Sequence, residues 1–122
     1  MRALLPLSFF LISSFGFAQS TWTVDQNGGG NFNAIQPAID HAGVVNGDTI
    51  LVMDGTYVEN INFQGKEITL RSENGPGAAI IDGNQSGTVV VFENGEGNGA
   101  VLDGFTVTNG QSGGGAGIYV RG

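Results

Sequence analysis

Tyr57 and Glu59 are the first pair with chemical potential, in the run Gly55-Thr56-Tyr57-Val58-Glu59. On a regular strand their side chains share one face and could meet a substrate in a groove. The same pattern also suits plain packing, with a buried Tyr beside a Glu held by turn amides, Arg71 or Lys66. Asp82 and Asp103 form a second pair, because Ile81-Asp82-Gly83 recurs as Leu102-Asp103-Gly104, a spacing of 103 − 82 = 21. Stacked one coil apart on parallel strands about 4.8 Å from each other, two carboxylates repel unless they share a proton or a cation. Calcium is the cation such oxygens take. Asp before Gly also accepts turn N–H groups, which requires no ion. His41 is the only histidine, with no local Ser or Cys to activate, and reads as a solvated helix-end residue. Gly28-Gly29-Gly30 lacks the Lys-Ser/Thr that follows a phosphate-cradling loop, and Gly113 to Gly117 reads as a flexible turn. This inventory assigns no catalytic, cofactor-binding or metal-binding residue, and calcium has no clear motif behind it.

The elements that must position these residues are short. A first strand is expected at Trp22 to Asp25, followed by the loop Asn27 to Asn31. A helix is expected from about Ala34 to Ala42, since Ile35, Ala38, Ile39 and Ala42 recur at i, i+3, i+4 and i+7. Pro37 belongs in its first turn, where a missing N–H costs nothing, and Gly43 suits the position just past its end. About two turns of helix do not survive alone in water, so this one must dock on an apolar surface. Eight runs rich in β-branched residues follow: Thr49 to Met53, Tyr57 to Phe63, Glu67 to Arg71, Ala79 to Asp82, Thr88 to Phe92, Ala100 to Asp103, Phe105 to Thr108 and Gly117 to Val120. Asp-Gly, Gln-Gly and Asn-Gly steps separate many of them and mark turns. Ile50-Leu51-Val52-Met53 and Val89-Val90-Val91-Phe92 are continuous rather than alternating, as expected of parallel strands covered on both faces.

Met1-Arg2 and the apolar run Ala3 to Phe17 read as an export leader, too short to span a bilayer. Small residues at Gly16 and Ala18 place cleavage after Ala18, so 1–18 is a signal peptide and 19–122 the mature domain. No membrane span remains after cleavage. The chain of 122 residues carries a formal charge of −7. Without Arg2, the mature part has Lys66, Arg71 and Arg121 against 11 acids, or 3 − 11 = −8. Such a balance argues against nucleic acid as a partner, because phosphate contacts need Lys and Arg. It also repels polyanionic glycans unless cations intervene. No cysteine is present, so disulfides contribute nothing.

The order of helix and Gly-punctuated strands resembles the N-terminal cap and first coils of right-handed parallel β-helix proteins, the pectin-lyase-like superfamily. Asn27-Gly28-Gly29-Gly30-Asn31-Phe32, the Ile35-Gln36-x-Ala38-Ile39-Asp40 helix and Gly55-x-Tyr57-x-Glu59 look like the N-terminal part of pectin methylesterases. Leu102 to Gly110 and Gly113 to Val120 are similar to repeats of bacterial secreted and surface β-helix proteins. The resemblance implies an all-β, right-handed solenoid with a short capping α-helix, ending before its natural C-terminal cap. The esterase motifs Gln-Asp-Thr-Leu and Asp-Phe-Ile-Phe-Gly are absent from this sequence, so no catalytic residue carries over. The expectation is an exported, secreted or surface-attached scaffold with polysaccharide as partner. The alternative is the start of a polysaccharide lyase or carbohydrate esterase acting on uronate-containing glycans.

Overall fold

A computed structural model of the chain describes residues 18–113 and 116–122. The expected leader, apart from Ala18, and Gly114-Gly115 lie outside the described residues. Among the described residues, no helix is long and apolar enough to cross a membrane.

Among the described residues, ten short strands and one helix follow in the order β1 (Thr21–Val24), α1 (Ile35–Asp40), β2 (Thr49–Val52), β3 (Gly55–Val58), β4 (Ile61–Asn62), β5 (Thr69–Ser72), β6 (Ala79–Asp82), β7 (Val90–Phe92), β8 (Val101–Asp103), β9 (Thr106–Thr108) and β10 (Ile118–Val120). They build three sheets, ordered β1-β2-β5-β8, β3-β6-β9 and β4-β7-β10, and every strand pair is parallel. The architecture is a parallel β-solenoid of about four turns. Each full coil contributes one strand to each sheet, so consecutive strands sit side by side along the axis only after the chain has gone round.

Inward columns make the core. Trp22, Ile50, Leu70 and Leu102 share one register on the first sheet, and Tyr57, Ile81 and Val107 share one on the second. Ile61, Val90 and Ile118 share one on the third. Phe63 and Phe92 stack with ring centroids 4.2 Å apart. Ile50, Leu70, Ile81, Ile61 and Phe63 are all buried, each contributing about 1.5–3 kcal/mol relative to exposure. Buried residues alternate with more exposed ones along β2 and β6. The apolar runs were expected to be covered on both faces. Instead Leu51 and Val91 face outward and stay half-buried, because a solenoid has its core on one side of each strand.

The helix is shorter than expected, Ile35–Asp40 rather than Ala34 to Ala42. Ile35, Ala38 and Ile39 are buried against β4, β1 and β2. Ala42 is exposed, a correction to the expected apolar face. The cause is the exit at His41, whose extended backbone (φ −68°, ψ 131°) turns the chain off the helix before Ala42 can face the core. The expected strand Tyr57 to Phe63 is broken into β3 and β4 by a corner at Glu59-Asn60.

The coil length varies, with 69 − 49 = 20 residues between β2 and β5 and 101 − 69 = 32 between β5 and β8. The 21-residue recurrence is therefore not a coil period. Asp82 lies opposite Thr108, whereas Asp103 lies opposite Arg71, on a different sheet. Among the described residues, no further coil covers β8, β9 and β10 at the far end of the solenoid. Ile118 and Val120 point inward yet are 47% and 70% exposed.

Candidate functional site

Of the residues singled out in the sequence, Tyr57, Glu59 and His41 lie around the joint where α1 closes the first coil, while Asp82 and Asp103 end strands of two different sheets.

At the joint, Ala34 precedes the helix without a side-chain cap. Glu59, on the corner between β3 and β4, supplies one instead. Its Oε2 accepts from the Ile35 amide at 2.7 Å and its Oε1 from the Gln36 amide at 2.8 Å. A carboxylate at a helix start meets both unsatisfied N–H groups and the positive end of the dipole. The opposite end is held by Lys66, whose Nζ donates to the carbonyls of Ile39 and His41, the latter at 2.9 Å. Between them, the Gln36 carboxamide donates to Asn62 O at 3.0 Å and accepts from Asn62 N at 2.8 Å. That side chain imitates a neighbouring peptide and satisfies the edge of β4, which would otherwise offer itself for pairing. Tyr57 is buried, and its hydroxyl donates to Met53 O at 3.0 Å and accepts from Gln26 N at 3.3 Å. Burial pushes the Tyr57 phenol up from its ordinary value, opposed by the Gln26 amide and reinforced by Asp25, Glu59 and Asp54. Tyr57 and Glu59 do not face a groove together: one fills the core and the other caps the helix.

His41 is exposed at the helix exit. Its ring packs against Trp22 and Phe32, with centroids 5.5 and 5.3 Å away, and its Nδ1 accepts from Gly43 N at 3.0 Å. Asp82 accepts from Asn84 N at 2.8 Å and from Asn109 Nδ2 at 3.1 Å on both oxygens. Asp103 is exposed at the end of β8. The two aspartates do not stack as a cation pair, since their strands belong to different sheets. Among the described residues, no three His, Cys, Asp or Glu side chains converge as metal ligands do. In the loop Gly28-Gly29-Gly30, Asp25 accepts from Asn27 N at 2.9 Å, so a short-range turn acceptor organises it.

The acid that sequence reasoning passed over is Asp48, within Gly47-Asp48-Thr49. It is 2% exposed. Its oxygens accept from Ser20 N at 2.9 Å, Trp22 Nε1 at 3.0 Å and Val45 N at 3.1 Å. Burial alone would push its carboxyl up, but the three donors and the Lys66 charge outweigh that and hold it below the usual carboxylate value. Glu96 is held low in the same way, with burial overcome by the amides of Gly65 and Asn94. The sequence signal for Asp48 was an acid followed directly by a strand, the pattern of a side chain that caps a turn.

On the outer face of the third sheet, Asn60, Ser86, Gly87, Thr88, Val91, Glu93, Ser112 and Tyr119 line an open groove of about 480 Å³. Val91 and Tyr119 are register partners on β7 and β10, so an aromatic ring lies beside an aliphatic patch. Asn60 Nδ2 braces the wall by donating to Ser86 O at 2.6 Å and Thr88 O at 3.0 Å. A larger, mostly apolar depression, about 900 Å³, lies at the capped end beside Ala42, Val44 and Val45.

These features define a parallel β-solenoid whose first coil is closed by a helix clamped at both ends. The chain is similar to a cell surface glycoprotein of Methanothermus fervidus, 32% identical over 112 residues, which cover 90% of this chain. It spans only 18% of that protein's length. No family model matches the chain, and no solved structure matches it.

Proposed function

We propose that this chain is part of an exported surface scaffold, a right-handed β-helix of the pectin-lyase-like kind that presents its outer faces for binding polysaccharide. The observation that carries the reading is the use made of its acids. Asp48, Glu59, Asp82 and Glu96 all hold backbone amides, each accepting one or more N–H groups. Carboxylates so engaged stabilise a surface rather than shuttle protons, since a general acid or base must be free to reach its substrate. Similarity to a cell surface glycoprotein supports placement at the surface. The groove beside Tyr119 supports a neutral glycan as ligand: a flat ring offers a sugar face an apolar platform, and Asn60 and Glu93 add polar groups at the rim. The net charge disfavours polyuronates in the absence of cations.

The test is titration of the purified chain against neutral and acidic polysaccharides, with Tyr119→Ala as the control. Weak binding to neutral glycans, lost in Tyr119→Ala, is expected. Release of unsaturated uronides or methanol from pectin above the buffer rate, abolished by Glu59→Gln or Asp82→Asn, would replace this reading with the lyase or esterase alternative.

A further inference from the structure

The turn between β6 and β7 carries Asn84-Gln85-Ser86, and this is the one place in the sequence where Asn is followed two residues later by Ser or Thr. That spacing is the acceptor pattern for N-linked glycans, because the transferring enzyme reads the Asn amide together with the hydroxyl two residues on. The pattern arises often by chance, so its structural setting decides whether it can be used. Ser86 N donates to Gly83 O at 3.0 Å, and Asn84 and Gln85 have φ of 54° and 58°. Both central residues in the left-handed region make this a type I′ turn, which projects the Asn84 side chain from a corner of the solenoid. Asn84, Gln85 and Ser86 are all exposed.

Six of the ten other asparagines give a contrast. Asn31, Asn46, Asn60, Asn62, Asn74 and Asn109 each commit their side-chain amide to a hydrogen bond that holds a loop or corner. Asn84 is fixed through its backbone alone: its N–H donates to Asp82 Oδ1 at 2.8 Å, while the next amide, Gln85 N, donates to Asn109 O at 2.7 Å. The turn is therefore held by its own amides on the Asp82 carboxylate and the Asn109 carbonyl, and among the described residues the Asn84 side-chain amide takes no part in holding it. A substituent on Asn84 Nδ2 would break no contact of the fold.

We propose that Asn84 is an N-glycan acceptor. The inference rests on the exported reading above, since lipid-linked donors and their transferases act on exported chains. The co-reactant is a lipid phosphate- or diphosphate-linked oligosaccharide. Asn84 Nδ2 forms a bond to the anomeric carbon, the bond from that carbon to the phosphate oxygen breaks, and the lipid phosphate leaves with its electron pair. One amide proton passes to a base of the transferase. The glycan would stand at the rim of the groove that contains Ser86 and Gly87, shielding this side of the solenoid.

The test expresses the full chain behind a host leader in a eukaryotic secretory cell, so that export does not depend on residues 1–18. The secreted protein should migrate more slowly than the unmodified chain. Peptide N-glycosidase should restore the mobility and leave an Asn84→Asp conversion in the peptide mass. Asn84→Gln and Ser86→Ala should abolish the shift, and Ser86→Thr should keep it. Secreted, folded protein with Asn84 unmodified, or a shift that survives Asn84→Gln, overturns the proposal. Polysaccharide binding is measured in parallel on the enzymatically deglycosylated protein, and its absence would count against the scaffold function alone.

Discussion

Glu59 and Lys66 belong to one coil and hold opposite ends of the same helix. Glu59 accepts the two N–H groups at its start, and Lys66 donates to the carbonyls at its end. A helix of six residues has no stability of its own, so this clamp and the burial of Ile35, Ala38 and Ile39 are what fix it to the solenoid.

Removing the clamp should therefore loosen the cap before it loosens the coils. Glu59→Ala leaves two backbone N–H groups without their acceptor, and should cost about 1–3 kcal/mol. Glu59→Gln keeps one acceptor oxygen and should cost less. Urea titration measures the total, and amide hydrogen exchange at Ile35 and Gln36 should rise ahead of exchange in β5 and β6. Equal exchange in helix and coils would show that Glu59 is not a local clamp.

Lys66→Met should weaken the other end by about 1 kcal/mol, the usual scale for a cation at a helix C-terminus plus its hydrogen bonds. The two substitutions act on one small element, so the double variant should lose less than the sum of the singles. Additive losses would mean that the helix ends are independent.

Ile39 lies at the bottom of the interface between helix and solenoid, fully buried. Ile39→Asp places an unpaired charge there and should destabilise the fold by several kcal/mol, enough to expose the first coil. Ile39→Val, which removes only a methylene, should cost about 0.5–1.5 kcal/mol. Thermal unfolding of both variants ranks them, and a mild effect of Ile39→Asp would mean that the cap is dispensable.

Acid should destabilise the protein through Asp48. Its carboxyl is held below the ordinary value in the folded chain. A depressed folded pKa means that the stabilisation is full above the unfolded value, about 3.9, and is lost as pH falls through the folded pKa. Glu96, also held low, contributes in the same direction. Unfolding free energy should be flat from pH 7 to about 5 and fall below about 4. Asp48→Asn should be less stable at neutral pH and show a shallower acid decline. An unchanged acid slope in that variant would assign the decline elsewhere. Tyr57, whose pKa is raised, works in reverse: its contribution is full below the unfolded value of about 10 and is lost as pH rises through the folded pKa.

Much of this molecule is dictated by local sequence. Short β-branched runs divided by Gly steps specify strands and corners, and Ala79–Asp82 forms a strand with the bounds its composition indicates. The spacing of Ile35, Ala38 and Ile39 specifies a helix and the face it buries. Those are near-neighbour properties, set by backbone geometry and by side chains a few residues apart. The assignments that needed the tertiary structure all depend on contacts between residues distant in sequence. Glu59 meets Ile35 and Gln36 only because the chain has gone round one coil. Asp82 and Asp103 look like a stacked pair until coil lengths of 20 and 32 residues put them on separate sheets. In a solenoid whose corners vary in length, equal spacing along the chain does not become proximity across it. The three-dimensional register therefore decided which acids serve as caps, and it left the side chain of Asn84, in the Asn-x-Ser turn, without a role in holding the fold.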